Sequence, residues 1–341
     1  MVYLNTPSQW SCLTCRGIVG ANYELQTLQR TSGAFLLNPI RGVESIHEKR
    51  NLNLLLNCSC RPFKSKGRQQ NDQTSPIKGK GNTKKMKIAS IQMDVSDRSK
   101  KDNIQRADNL LSQAIGADLI LLPELWNIGF FSFDKYKLES ETDNGDSVRM
   151  VAEKAIALSA YILAGSIIEK ANNKLYNTSY FIDPNGRIIG KYRKIHLFGF
   201  QSYERKLLAP GKHVAAIETD IGNIGLSTCY DLRFPELYRK LLDLGVELFL
   251  VTSAWPKARL DHWLLFNRIR ALENQSYLIS SNAVGISRDN LLGGHSQVVD
   301  PFGNVVAIAN DSEGILRAEI DLKEVKRSRS EFPATLDRAI K

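Results

Sequence analysis

A cysteine, a glutamate and a lysine whose types could do nucleophilic and acid–base chemistry stand where strand-like or basic runs of this chain give way to other text. Cys229 is the only cysteine after position 60, in the run Ile224-Gly225-Leu226-Ser227-Thr228-Cys229-Tyr230-Asp231-Leu232-Arg233-Phe234-Pro235-Glu236. A strand that turns sharply into a helix pushes one side chain out at the sheet's carboxyl edge and leaves free backbone N–H groups beside it. A thiol at that place is a nucleophile once a base or a cation favours its thiolate. Glu124 follows Leu119-Ile120-Leu121-Leu122-Pro123, an apolar run of the kind found in a buried parallel strand, with Pro123 ending the ladder. Lys194 lies in Lys191-Tyr192-Arg193-Lys194-Ile195-His196-Leu197-Phe198, where a basic cluster runs into apolar residues. Each has an ordinary reading in isolation: a small buried hydrophobe, a post-strand carboxylate and a solvated charge run.

The text around them alternates strand and helix signals. Residues 87–93 read as a first strand, and Ile104, Ala107, Leu110, Leu111 and Ala114 mark one helical face. Residues 119–122 form a second strand, 148–160 a helix and 161–167 another strand. Residues 177–183 and 187–191 flank Pro184-Asn185-Gly186, a hairpin signal. Strand 224–228 leads into Cys229, helix 236–244 is closed by Gly245, and strand 246–252 follows. A helix over 259–274, strands 277–282, 298–300 and 305–308, and a last strand at 316–320 complete the pattern. Buried strands interleaved with helices imply layered α/β architecture.

Taken in order, Leu-Pro-Glu at Glu124, Lys-x-His-Leu-Phe at Lys194 and Cys-Tyr-Asp-Leu-Arg-Phe-Pro-Glu at Cys229 resemble the carbon–nitrogen hydrolase (nitrilase-like) superfamily. Tyr176-Asn177-Thr178, Arg270-Ala271-Leu272-Glu273-Asn274-Gln275, Gly293-Gly294-His295-Ser296 and Asp300-Pro301-Phe302-Gly303 extend the resemblance, which runs from Lys87 to about Leu322. It implies a four-layer α-β-β-α sandwich with twofold internal structure, assembled as a homodimer or larger. It also implies Cys229 as nucleophile, Glu124 as general acid and base, and Lys194 with a backbone N–H near Tyr230 as oxyanion contacts. Glu204, between lysine and cysteine, takes the place of a second family glutamate that positions Lys194. The resemblance gives His196 no proton-transfer role, and His196 and His295 are expected to be structural. The histidines after position 87 show no metal-binding spacing, so neither metal nor cofactor is expected.

Within that superfamily the text is most similar to the omega-amidase branch, through Leu122-Pro123-Glu124-Leu125-Trp126 and Ser253-Ala254-Trp255-Pro256-Lys257-Ala258-Arg259-Leu260-Asp261-His262-Trp263. The implied substrate is 2-oxoglutaramate, hydrolysed to 2-oxoglutarate and ammonia. Its distal carboxylate needs a cation, for which Arg233 and Lys257 are candidates by position. Either could instead form an internal salt bridge, the expectation favoured for Arg233. An N-carbamoyl amidase is the competing activity, and a nitrilase is a lesser one. Outside enzymes, a retired scaffold would have lost a triad member, and all three are present.

Charge divides the chain. Residues 1–87 hold 14 Lys/Arg and four Asp/Glu, whereas the remainder holds 32 of each, so the net +10 lies wholly in the amino-terminal part. Residues 1–86 are therefore expected to be a basic, disordered extension, with a linker-like stretch over 64–87. A nucleic-acid partner could be argued only for that extension. Cys12, Cys15, Cys58 and Cys60 fall there too, with spacing that suits a zinc site poorly. No window is long and apolar enough for a membrane span. One cysteine in the folded part suits a reducing, cytoplasmic setting, the alternative being an organelle reached through a basic transit peptide. Residues 87–322 are the expected hydrolase domain and 323–341 a carboxyl-terminal tail, within which Ser328–Lys341 is expected to be an arm or a frayed end.

Overall fold

The alternation of apolar strands with amphipathic helices resolves into two sheets in the computed structural model, which describes residues 85–340. The four cysteines of the amino-terminal extension, and all but two of its residues, lie outside the described residues. The first half of the domain runs β1 (Met86–Gln92), α1 (Lys100–Ser112), β2 (Leu119–Leu121), α2 (Asp146–Leu158) and β3 (Tyr161–Leu163). It continues with β4 (Ile167–Ala171), β5 (Lys174–Ile182), β6 (Ile188–Arg193) and the single-turn α3 (Glu204–Leu207). The second half runs β7 (Ala215–Thr219), β8 (Gly222–Thr228), α4 (Pro235–Asp243), β9 (Leu248–Ser253), α5 (Leu260–Asn274) and β10 (Tyr277–Asn282). It closes with the small hairpin β11 (Ile286–Ser287) and β12 (Asn290–Leu291), then β13 (Gln297–Val299), β14 (Val305–Ile308), β15 (Gly314–Ile320) and α6 (Lys323–Glu331).

One sheet has the order β15-β1-β2-β3-β5-β4, with β6 also on β5; the other has the order β14-β13-β10-β9-β8-β7. Strands β1, β2 and β3 are parallel, as are β8, β9 and β10, and each trio carries its two crossover helices. Twofold internal structure is thus visible in the topology although the two halves share no evident sequence repeat. Even the helix ends correspond. Both α2 and α5 stop at a left-handed residue, Ser159 (φ 51°) and Gln275 (φ 47°), two positions before Tyr161 and Tyr277 open the next strand. β15 departs from a simple duplication by crossing to the first sheet, where it pairs antiparallel with all of β1, from Met86 opposite Ile320 to Gln92 opposite Gly314.

Alternation along the strands makes the layers. Leu119 and Leu121 of β2 join the apolar cluster that includes β8, β9 and α5, whereas Ile120 and Leu122 join the cluster with α1 and α2. Burying each such side chain contributes about 1.5–3 kcal/mol. Where β1 meets β10, serines replace bulk: Ser90 Oγ donates to Ser280 O at 2.9 Å and Ser281 Oγ to Ile91 O at 2.6 Å. The result is the four-layer α-β-β-α sandwich.

Two boundaries differ from the sequence reading. The strand expected over 161–167 is broken into β3 and β4 by Gly165 (φ +58°), where a Cβ would lie 2.1 Å from Pro123 O and 2.7 Å from Trp126 Cδ1. Only glycine fits that close approach, which seats the segment bearing Glu124. The stretch from 323 onward, expected to be a tail, begins with α6, whose Val325 and Ser328 are buried. Gln275 Nε2 donates to Ser328 O at 2.9 Å and Phe332 O at 2.7 Å, and Arg329 reaches Val246 O at 3.0 Å. A charge-rich helix, apolar at only a few positions, reads as a tail because its anchors are backbone carbonyls far away in sequence.

Candidate active site

Cys229 stands where β8 ends, at φ +49°, a left-handed conformation that a non-glycine residue adopts at a cost of about 1–3 kcal/mol. The surrounding residues hold it there. Cys229–Arg233 form a 3-10 turn closed by a reciprocal cap between Thr228 and Asp231. Asp231 is fully buried and accepts from Thr228 N at 2.9 Å, Tyr192 OH at 2.7 Å and His196 N at 3.1 Å. The His196 ring bonds the same carboxylate through Nδ1 at 2.7 Å and stacks on Phe234 at 3.8 Å. His196 is therefore engaged in fixing the turn. Asp231, to which the sequence reading gave no role, organises it.

Glu124 emerges from β2 directly across from this turn. Its amide donates to Ser253 O at 3.3 Å, and its Oε2 accepts from Ala254 N at 3.0 Å, so the end of β9 grips it from the second half of the domain. Its Oε1 accepts from Lys194 Nζ at 2.8 Å and from Asn177 Nδ2 at 2.8 Å. Lys194 follows β6, and Glu204 opens α3. Glu204 takes Lys194 Nζ at 3.0 and 3.1 Å, Asn177 Nδ2 at 3.1 Å and Phe198 N at 2.6 Å. Glu124, Glu204 and the Lys194 side chain are all sealed from solvent. The structure thus brings together Cys229, Glu124, Lys194 and Glu204. It adds Asn177, whose matching motif was visible but whose bridge between two carboxylates was not.

Two buried carboxyl groups share one lysine, and the titrating groups respond to one another. Burial pushes the Cys229 thiol well up, the nearby Glu124 carboxylate adds to that, and Lys194 opposes it. Burial alone would lower Lys194, but Glu124 and Glu204 outweigh it and hold the ammonium charged. Burial raises the Glu204 carboxyl, with Lys194 opposing and Glu124 reinforcing.

Beside Cys229 lies a narrow pocket lined by Phe130, Phe131, Phe198, Tyr230, Trp255 and Pro256, together with Arg233 and Arg259. Arg233 does not form the internal salt bridge expected of it. Its guanidinium lies over Trp255 at 4.9 Å and Phe266 at 5.3 Å and bonds His262 Nδ1 at 3.1 Å, with no carboxylate partner among the described residues. Burial lowers its pKa, and Arg259 is among the causes. Lys257 takes the other course open to it: it pairs with Asp311 at 3.0 Å and is not among the pocket's lining residues. Arg259, two residues on, lines the pocket with Arg233 and rests on Phe198 and Phe200. Within a 3-10 turn neighbouring side chains diverge, so proximity in sequence could not separate the two. Tyr230 packs its ring against Phe198 at 5.1 Å, and its N–H sits in the first turn of the 3-10 segment, where helical N–H groups lack internal partners.

Among the described residues no group of three or more His, Cys, Asp or Glu is placed to hold a metal ion, and no helix is long and apolar enough to cross a membrane. Comparison with known proteins agrees with the geometry. The carbon-nitrogen hydrolase family model matches residues 87–330. The 2-oxoglutaramate amidase of Paenarthrobacter nicotinovorans is 39% identical over 246 residues, covering 70% of this chain and 84% of that protein. Human omega-amidase NIT2 is 35% identical over 259 residues, covering 72% of this chain and 92% of that protein. Among solved structures, Saccharomyces cerevisiae Nit3, a nitrilase-superfamily member, superposes with a TM-score of 0.70 at 33% identity, covering 75% of this chain and 97% of that one. With its fold, its buried Glu–Lys–Cys cluster and these relatives in agreement, the chain belongs to the carbon–nitrogen hydrolase family.

Proposed function

We propose that this protein is an omega-amidase that hydrolyses the distal amide of a small keto acid, 2-oxoglutaramate, to 2-oxoglutarate and ammonia. The observation that carries this reading is a buried thiol and a buried carboxylate–lysine cluster beside a small pocket lined by two guanidiniums that have no carboxylate partner among the described residues. An amide needs a strong nucleophile, a stabilised oxyanion and a proton for nitrogen. As Sγ of Cys229 attacks the carbonyl carbon, Glu124 takes the thiol proton. As the proton reaches Glu124, the negative charge passes to sulfur and then to the carbonyl oxygen. Lys194 Nζ and the Tyr230 N–H receive that oxyanion. Collapse breaks the C–N bond, Glu124 returns its proton to the departing nitrogen, and a thioester remains. Water then attacks the thioester with Glu124 as base, the acid leaves, and the proton returns to Sγ.

Glu204 and Asn177 hold Lys194 and Glu124 in place. Arg233 and Arg259 would take the distal carboxylate through charge-assisted bonds, shielded from water by Trp255, Phe131 and Phe198. That polarity disfavours the competing N-carbamoyl reading for a substrate such as N-carbamoylputrescine, whose free amine is cationic. A homodimer, with exposed Leu265 and Leu272 of α5 available for burial, and a reducing cytoplasmic setting suited to a free buried thiol, complete the proposal.

Ammonia release from 2-oxoglutaramate, N-carbamoylputrescine and a simple nitrile, with Cys229→Ala as control, tests the reading. Turnover confined to the keto-acid amide and abolished in the variant is expected. Turnover of the carbamoyl compound alone would move the substrate class, and activity surviving in the variant would remove the mechanism.

A further inference from the structure

We propose that the Ser253 hydroxyl donates a hydrogen bond to the Cys229 thiolate, making it a further group of the reaction centre. The inference deepens the reading of Cys229 as nucleophile and starts from strand register. β8 and β9 are parallel with Thr228 opposite Thr252, so the next positions along the two strands are Cys229 and Ser253. Side chains alternate along a strand, which places Ser253 on the opposite face from Thr252. Ser253 is fully buried, and among the described residues its Oγ has no hydrogen-bond partner, sulfur included, while the thiol keeps its proton. Leaving a buried hydroxyl unpaired is costly, so a polar neighbour at that point matters. Register puts Cys229 beside it, and the hydroxyl acts on that thiol in the direction that favours the thiolate.

The backbone around the same residue holds the base. Ser253 O accepts the Glu124 amide, and the following amide, Ala254 N, donates to Glu124 Oε2. A single strand end therefore holds the carboxylate through its backbone and sets the Ser253 hydroxyl beside the residue that carries the sulfur. The charged and titratable groups acting on that sulfur come from several elements: Glu124 after β2, Lys194 after β6, Tyr136 from the segment before α2 and Arg233 on its own turn. Glu124 and Tyr136 can only disfavour the thiolate when ionised, and Lys194 is shared with two carboxylates. A neutral hydroxyl gives the sulfur a donor that strengthens only when the proton leaves, as transition-state stabilisation requires.

The test compares Ser253→Ala, Ser253→Thr and Ser253→Val in the full chain. Alkylation of Cys229 by iodoacetamide is followed across neutral to alkaline pH by mass spectrometry of its peptide, alongside kcat and KM for ammonia release. Because alkylation needs no turnover, its outcome is separable from any error in the assigned substrate. Removing a donor from an ionised acceptor predicts an alkylation midpoint raised by about one pH unit in Ser253→Ala. It also predicts kcat lowered roughly tenfold with KM unchanged. Ser253→Thr keeps the native midpoint, and Ser253→Val, which has the same shape without the hydroxyl, behaves like Ser253→Ala. If Ser253→Ala does not fold, the Thr and Val pair decides alone. A native midpoint in the hydroxyl-free variants, or a Thr variant shifted as far as Val, overturns the proposal and assigns Ser253 to packing.

Discussion

Replacing Lys194 by methionine should destabilise the protein far more than a change of one side chain of similar size, and adding Glu204→Gln should repair much of the loss. Lys194 is fully buried and makes three hydrogen bonds, one to Glu124 and two to Glu204. Removing one partner of a buried ion pair costs about 3–5 kcal/mol because it strands the other charge. Here two carboxylates are stranded, held about one nitrogen apart by Asn177 Nδ2, which bonds both. One of them must take up a proton. Glu204 is the candidate, since burial already raises its carboxyl and Lys194 is the main influence holding it down. Without Lys194 its folded pKa rises further above the unfolded value of about 4.3. A carboxyl raised on folding stabilises below its unfolded pKa and loses that stabilisation as pH climbs through the folded one. The deficit of Lys194→Met should therefore be smaller at pH 5 than at pH 8. Glu204→Gln removes the charge and keeps a similar shape, so the double variant should recover at least about half of the 3–5 kcal/mol at pH 8. Urea unfolding followed by the fluorescence of the buried Trp126, Trp255 and Trp263 reads all four members of the cycle. A loss below about 1 kcal/mol in the single variant, or a double variant equal to the sum of the singles, would refute the charge argument.

Three further outcomes follow from the site. Arg259→Ala should lower kcat/KM for 2-oxoglutaramate by about 10–150-fold, the worth of one charge-assisted bond, mainly through KM; a neutral short-chain amide should be nearly unaffected, and equal losses on both substrates would remove Arg259 from carboxylate recognition. Glu124→Gln should cost about 10²–10⁴-fold in kcat, the usual contribution of a general acid–base, and near-native turnover would mean the thiol proton goes elsewhere. His196→Gln should destabilise the turn at Asp231 but leave the shape of the pH–rate profile unchanged, because His196 is bound to Asp231 rather than to the reacting groups; a profile that loses a limb would identify it as a proton-transfer group.

The parts of this site that were legible in the sequence are those set by local geometry. Cys229 and Glu124 each stand where an apolar run ends and Lys194 where a basic cluster meets one, and the ordered set of motifs around them, which resembles a known family, singled them out. What joins them is not local. Glu124 is gripped by Ala254, 130 positions away, and by Asn177, 53 away. No periodicity marks an asparagine in a strand as the bridge between two carboxylates. Arg233 and Lys257 show the same limit from the other side, because whether a cation faces a carboxylate or a ring depends on packing between distant elements. The main helices and the parallel strands agreed with their hydrophobic patterns to within a few residues. The break at Gly165 and the docking of α6 depend instead on what the chain meets at Pro123 and at Gln275.

The crossing of β15 carries a consequence for how this protein could be cut and rebuilt. Glu124, Asn177, Lys194 and Glu204 come from the first half of the domain, whereas Cys229, Ser253 and Ala254 come from the second. Severing the loop between α3 and β7 would give two fragments, each with its own parallel trio and helices but neither with a complete catalytic set. The second fragment would still carry the strand that completes the edge of the first one's sheet, a seven-residue ladder along β1. Co-expressed fragments would thus recognise each other by strand complementation, and ammonia release would report their reunion. Trimming the carboxyl terminus back to before Gly314 would leave both catalytic halves intact yet take away the clasp between them.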